Sequence, residues 1–352
     1  MDKRVFGLDV MRALAISAVV WVHSLKSLRL AFDPPKALLP VDGVSLFFVL
    51  SGFLVGKIIF DTIHGENWRE LPFFLKRRWW RTLPNYYLFF FLHVLVYFAF
   101  GIQDQIDWQS LLFLQNLNQP NSLFFLESWS LAVEEWFYFL IPTIWWSLKR
   151  WLKPCDIKHF LIFIALFIFA SLCYKYWFFS NLKLDIHVLH TYVRRPVLMR
   201  LSSIGYGLLM AAIAIYSRSL FKKWWIWAFV GLALYSLFEF YIAKLNTQWK
   251  VIYMFEFRSA IIMCFLPAFY HIPKLNHFLS IIINKISLFS YSMYLINLPA
   301  LSILFWFLSK WNIIQPFLVL GGVALTWMCI FFASQFIYYK FEWPITQLRE
   351  RR

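Results

Sequence analysis

The sequence is short of residues that break, tether or crosslink a chain. Its 352 residues include 11 glycines and 14 prolines, and no low-complexity linker divides it. A long flexible joint between separate domains is therefore excluded. Cys155, Cys173, Cys264 and Cys329 are scattered without a CxxC spacing, so neither a disulfide framework nor a metal site is expected. Acidic residues are scarce, with 18 Asp and Glu against 34 Lys and Arg, a formal net charge of +16. No segment clearly repeats another, which argues against a transporter assembled from duplicated halves.

Apolar residues fill the chain instead. They make up 61% of it and aromatics 22%, with a mean hydropathy of +0.62. Soluble domains are nearer half apolar. The excess falls in runs of about 18 to 24 residues, each long enough to cross about 30 Å of hydrocarbon as a helix. The runs do not alternate, which excludes a barrel. The expectation is an all-α integral membrane protein with about ten spans, at 6–25, 43–61, 83–101, 126–148, 160–179, 201–217, 223–243, 252–270, 286–309 and 315–340. Lys3 and Arg4 before an apolar run look like the start of a signal peptide. Arg12 interrupts that run, however, and no small-residue cleavage site follows His23, so it stays as the first span.

With both termini placed in the cytoplasm, about 20 Lys and Arg fall in inner segments and about 11 in outer ones, the usual positive-inside bias. That bias accounts for most of the charge without a nucleic-acid partner. One segment resists it. Residues 181–200, expected outside, carry Lys183, Arg194, Arg195 and Arg200 beside His187 and His190. Either the fifth or the sixth span is misplaced, or the loop holds cations outside for a reason, such as an anionic acceptor.

The first span, GLDVMRALAISAVVWVHS, keeps Asp9, Arg12 and His23. Eleven residues from Arg12 to His23 give about 16 Å of rise and return to within about 20° of the starting direction. The two share one face, three turns apart, and Asp9 is an i,i+3 neighbour able to hold the charge of Arg12. Both ends could simply snorkel to headgroups. Because ionisable residues inside a span usually face a cavity or a partner, a shared cavity is the stronger reading.

The arginine, ten residues, histidine spacing resembles the signature of the membrane acyltransferase-3 family. Further elements follow in that family's order: GVSLFFVLSGFLV (Gly43–Val55), FLKRRWWRTLPNYY (Phe74–Tyr87) with Arg78 and Arg81 spaced RxxR, ESWSLAVEEWFYFLIP (Glu127–Pro142), SYSMYLINLP (Ser290–Pro299) and FEWPITQLR (Phe341–Arg349). They cover nearly the whole chain, read as a single membrane acyltransferase domain over 1–352. Some members carry an SGNH-type domain after the membrane part; ending at Arg352, this chain is expected to be the stand-alone form. Two positions depart from the pattern. Ser45 stands where an aspartate is common, with Asp42 three residues earlier, and Asn297 stands where a histidine is common, so no acid–base role is carried to Asn297.

The resemblance implies transfer of an acyl group, usually acetyl, from cytoplasmic acetyl-CoA to a sugar hydroxyl of a bacterial surface glycan or its lipid-linked precursor. Lipopolysaccharide O-antigen is the preferred acceptor by family habit. The protein would sit in the inner membrane with its active site toward the extracytoplasmic side. Arginine suits phosphate because its planar fork donates paired hydrogen bonds. Arg78 and Arg81, in an inner loop with Lys76 and Arg77, and Arg12 just inside the span are therefore the expected acetyl-CoA ligands. His23 is the expected general base, since its ordinary pKa lies near working pH. Glu134 is expected to orient His23 or bind the acceptor hydroxyl, and Asp42 to substitute as the partner of His23. Glu135, about 100° round the helix from Glu134, is placed with Arg194 and Arg195 on the acceptor side. Tyr291 and Tyr294 are pocket candidates, with ordinary helix packing the stronger reading of either. The rival class is a transporter for a lipid-linked glycan or small anion, with the same charges lining its path.

Overall fold

The computed structural model describes residues 4–32, 42–62, 70–151, 156–180, 185–240, 244 and 247–348. Every regular element among them is helical: α1 (Phe6–Leu28), α2 (Gly43–Thr62), α3 (Glu70–Ala99), α4 (Ser128–Trp151), α5 (Ile157–Ser180), α6 (Ile186–Arg194), α7 (Val197–Tyr216), α8 (Arg218–Lys222), α9 (Trp224–Phe240), α10 (Thr247–Tyr270), α11 (His277–Lys310), α12 (Pro316–Ile337) and α13 (Trp343–Leu348), with a π turn at Tyr338–Glu342. Eight described helices are long and apolar enough to cross a membrane: Phe6–Leu28, Gly43–Phe60, Leu71–Ala99, Ile157–Ser180, Val197–Tyr216, Gln248–Tyr270, His277–Lys310 and Pro316–Leu348. The other two expected spans fall on α4, which carries Glu134 and Glu135 near its start, and on α9, a shorter apolar helix of 17 residues. The outer faces are greasy. On α5, Ile162, Leu166, Phe169 and Trp177 are all exposed, a surface that water would not tolerate and hydrocarbon accepts. The chain is an all-α integral membrane protein.

Two sequence expectations change. The basic stretch around Arg78 and Arg81 is not a loop but the first part of α3, which runs unbroken from Glu70 to Ala99 through Pro84. Residues 186–194 of the expected outer loop form α6. Asp185 caps it by accepting from the His187 N–H at 2.9 Å. Leu189 and Val193, one turn apart, seal it onto Phe179, Met199, Ile252 and Phe255. Lys183, the remaining cation of that segment, lies outside the described residues.

Contacts divide the chain into two compact units, residues 1–44, 78–89 and 273–352 in the first, 45–77 and 90–272 in the second. The backbone passes between them four times, so neither is a contiguous piece of chain.

In the first unit, α1 lies along α11 and touches α12. Met11, Ala15, Ile16 and Val20 are its sealed face. Gly43 lets the start of α2 close on that face: a Cβ there would sit 2.4 Å from the Ala15 carbonyl oxygen. Farther along, Leu25 and Leu28 pack with Leu308, Val319 and Val323, and the Trp327 indole donates to Ser24 Oγ at 2.9 Å.

In the second unit, α7 is the central helix and packs against α4, α5, α6 and α10. It also meets α2 backbone to backbone. A Cβ on Gly52 would fall 2.0 Å from the Ile204 carbonyl oxygen, and one on Gly207 1.9 Å from that of Val49. Small residues permit this approach, which is how helices bind one another where no hydrophobic driving force operates. The connection from α3 to α4 is the longest described and carries short 3-10 turns at Gln103–Gln105 and Trp108–Leu112. Asn116 ties it down, donating to the carbonyls of Trp129 (2.9 Å) and Arg195 (2.7 Å) while its own carbonyl accepts from the Val197 N–H.

Candidate functional site

Helix periodicity brings Arg12 and His23 to the same side of α1, and the structure places both against α11. Arg12 Nη1 lies 3.4 Å from Ser287 Oγ, and His23 Nδ1 is hydrogen-bonded to Asn297 Oδ1. Ten residues separate the two contacts on α11 and eleven separate them on α1, as expected for two helices running side by side. Neither side chain is turned out into lipid; both are half-buried.

Around Arg12 the charges are dense. Asp9 is buried in the first turn of α1, where a carboxylate suits the helix dipole. It accepts two bonds from Arg4, Nε to Oδ2 at 2.6 Å and Nη2 to Oδ1 at 2.9 Å. Ser287 Oγ donates to it at 2.7 Å. Arg12 Nη1 stands 3.7 Å from the same carboxylate, so Asp9 is shared, with Arg4 as the tighter partner. Arg81, Arg78 and Arg4 all lie within electrostatic reach of Arg12. Arg78 and Arg81 are one turn apart on α3 and so share a face; Arg81 is exposed and Arg78 half-buried.

A second carboxylate completes the group. The π turn carries Glu342 inward, where it accepts from Asn85 Nδ2 at 2.9 Å and Ser292 Oγ at 3.0 Å, with Arg81 attracting its charge. Single π turns inside helices recur at functional sites. Tyr291 donates to the Thr82 carbonyl at 2.8 Å, fastening α11 to the same stretch of α3. Four guanidinium groups thus gather about Asp9 and Glu342, leaving an excess of positive charge. Such a cluster can bind a polyanion, whose phosphates find planar donors already in place.

Of the other expected residues in this unit, Asp42 lies half-buried one residue before α2, and Tyr294 is buried. Asn297, set aside in the sequence because an amide does not titrate, is the residue found on His23.

The remaining expected residues belong to the second unit. Glu134 accepts from Ser51 Oγ at 3.0 Å and from the Tyr138 hydroxyl at 3.1 Å; Glu135 is buried. Arg194, at the end of α6, lies over the Trp129 ring with 5.9 Å to its centroid. Burial first, and then the like charge of Arg194, hold the Arg195 guanidinium below its ordinary pKa. Arg200 is a correction. Counted in the sequence among outer-loop cations, it lies inside α7, fully buried, donating to Ser45 Oγ at 2.8 Å and stacked on Phe255 and Phe48. Two aromatic faces and a hydroxyl lie against the guanidinium in place of bulk water.

Sequence reasoning also missed the buried ion pair of Lys175 on α5 with Glu256 on α10. Ser202 on α7 donates to the same carboxylate at 2.6 Å. Lone charges in apolar runs were the available signal, but nothing in their spacing along the chain pairs residues 81 positions apart.

A family model described as an acyltransferase domain matches residues 5–334. Among curated proteins, the chain is similar to the peptidoglycan O-acetyltransferase OatA of Listeria monocytogenes, 29% identical over 169 residues, covering 43% of this chain and 26% of that protein. It is also similar to the O-acetyltransferase OatA of Staphylococcus aureus, 28% identical over 179 residues, covering 46% and 28%. The matched part spans about a quarter of the length of these relatives. No solved structure matches.

Proposed function

The chain belongs to the acyltransferase-3 family whose domain it matches, and on that premise we propose that it is a membrane O-acetyltransferase carrying acetyl from cytoplasmic acetyl-CoA to a sugar hydroxyl of a surface glycan. The observation that carries this reading is the pairing of α1 with α11, which holds a cluster of arginines at one level and an amide-anchored histidine about 16 Å along the same side. Arg12, Arg78 and Arg81, joined by Arg4, bind the phosphates of acetyl-CoA. The pantetheine arm is of the same order of length as the rise from Arg12 to His23. His23 takes the proton of the attacking hydroxyl, the new ester C–O bond forms at the thioester carbonyl, and the C–S bond breaks to release CoA thiolate, which is then protonated.

In this reading both termini are cytoplasmic, the reacting end faces the outside of the inner membrane, and the interleaved segments of residues 1–352 work as one domain. Glu134, Glu135, Arg194 and Arg195 handle the acceptor, and Asp42 assists His23. The names of the relatives favour peptidoglycan as that acceptor, ahead of the O-antigen expected from family habit. The test is acyl transfer by purified protein with labelled acetyl-CoA and peptidoglycan or lipopolysaccharide fragments. His23→Ala should lower kcat by about 10²- to 10⁴-fold, the usual worth of a general base. Undiminished transfer by that variant removes the base from the mechanism.

A further inference from the structure

Asn297 is fully buried on α11, and its amide is fixed from two directions. Its nitrogen Nδ2 donates to the carbonyl oxygens of Met293 at 3.1 Å and Tyr294 at 2.5 Å. Backbone carbonyls accept and never donate, so the amide cannot turn over without setting its own oxygen against two others. Pro299, two residues on, takes the ladder donor from the Leu295 carbonyl, while the Asn297 amide stays on the carbonyls of Met293 and Tyr294. With the nitrogen committed, Oδ1 is the atom left for His23, and an amide oxygen is only an acceptor. His23 Nδ1 must then carry a hydrogen.

From this geometry we propose that Asn297 is a positioning residue that holds neutral His23 in its Nδ1–H tautomer, making Nε2 the nitrogen that takes the proton of the acceptor hydroxyl. The proposal rests on the reading of His23 as the base and adds which of its two nitrogens works. The bond Nδ1–H to Oδ1 is present before proton uptake and persists after it, because the imidazolium still donates from Nδ1. The ring therefore accepts a proton without losing its anchor, and no donor or acceptor has to reorganise during the step. An asparagine does this without adding a charge: an amide cannot trade its proton with the ring, and it places no second ion in a low-dielectric span. A histidine at this position could serve as donor or acceptor, whereas an asparagine held by its nitrogen leaves one tautomer.

The experiment has two arms. In the first, the wild-type protein is labelled with ¹⁵N-histidine in lipid nanodiscs, and the His23 signals are identified by their loss in His23→Gln. At a pH where the ring is neutral, the expected spectrum shows Nδ1 protonated and Nε2 bare; a bare Nδ1 with a protonated Nε2 overturns the proposal. This arm needs no variant at 297 to fold. In the second, Asn297→Leu should lower kcat by about 10- to 100-fold, the cost of a catalytic group left out of register, with KM for acetyl-CoA unchanged and the single-tautomer signature lost. A variant that keeps wild-type kcat, or that loses acetyl-CoA affinity in equal measure, overturns it. The two readings fail separately. An active His23→Ala with the Nδ1–H spectrum intact removes the base and leaves the tautomer. An inactive His23→Ala with an Nε2–H spectrum does the reverse.

Discussion

The two units treat buried charge in opposite ways. In the first, four arginines surround the carboxylates Asp9 and Glu342, Arg81 is exposed, and Asp9 lies closer to Arg4 than to Arg12. In the second, Lys175 and Glu256 neutralise each other out of contact with solvent, and Arg200 is enclosed by Ser45, Phe48 and Phe255. Desolvating an ion costs several kcal/mol unless its partners are close and well aligned, so the closed pair of Lys175 and Glu256 reads as architecture. An unbalanced, partly exposed set keeps electrostatic capacity in hand for a ligand of opposite sign. Burial of charge alone does not mark a site; a positive surplus that solvent can still reach does.

The largest effect is expected at His23, whose replacement by alanine should remove nearly all transfer while the protein stays folded. Next, Lys175→Met should destabilise the protein by about 3–5 kcal/mol, the cost of stranding a buried carboxylate, and Lys175→Met with Glu256→Met should recover most of that in thermal unfolding of the purified protein. Loss of transfer by Lys175→Met at unchanged stability would move the pair from architecture into the site. In the first unit, Arg81→Gln should lower the melting temperature only slightly, because Glu342 keeps its bonds from Asn85 and Ser292, and raise KM for acetyl-CoA by about 10- to 150-fold, from loss of about 1.5–3 kcal/mol of charge-assisted bonding. A drop in stability without a change in KM would make Arg81 structural. The smallest effect belongs to Arg194→Glu with Arg195→Glu. Half-exposed cations are worth little each, so the acceptor KM should rise about 2- to 5-fold at constant acetyl-CoA affinity. An equal rise in both constants would indicate misfolding.

Much of the fold was legible because a span needs a long apolar run and a helix satisfies its own backbone, both local demands. Arg12 and His23 on one face followed from 100° per residue, and Arg78 with Arg81 from a one-turn spacing. The errors lay where local pattern is silent. A basic stretch reads as a loop until something continues the helix through it, as α3 does across Pro84. Arg200 reads as a solvated cation until two aromatic rings are found around it. Asn297 was dismissed for being unable to titrate, yet a fixed acceptor is what a base's other nitrogen requires.

Sequence by itself determined that this chain lives in a membrane as helices, which elements it shares with the acyltransferase family, and which residues of α1 face together, since each depends on composition or on neighbours within a few turns. Tertiary structure decided the partners: Ser287 and Asn297 for α1, Glu342 for Asn85, and Glu256 for Lys175. Those pairs lie between 81 and 275 residues apart. Which distant groups meet is fixed by how the helices pack, through contacts as close as Gly207 against the Val49 backbone, and no periodicity along the chain encodes that.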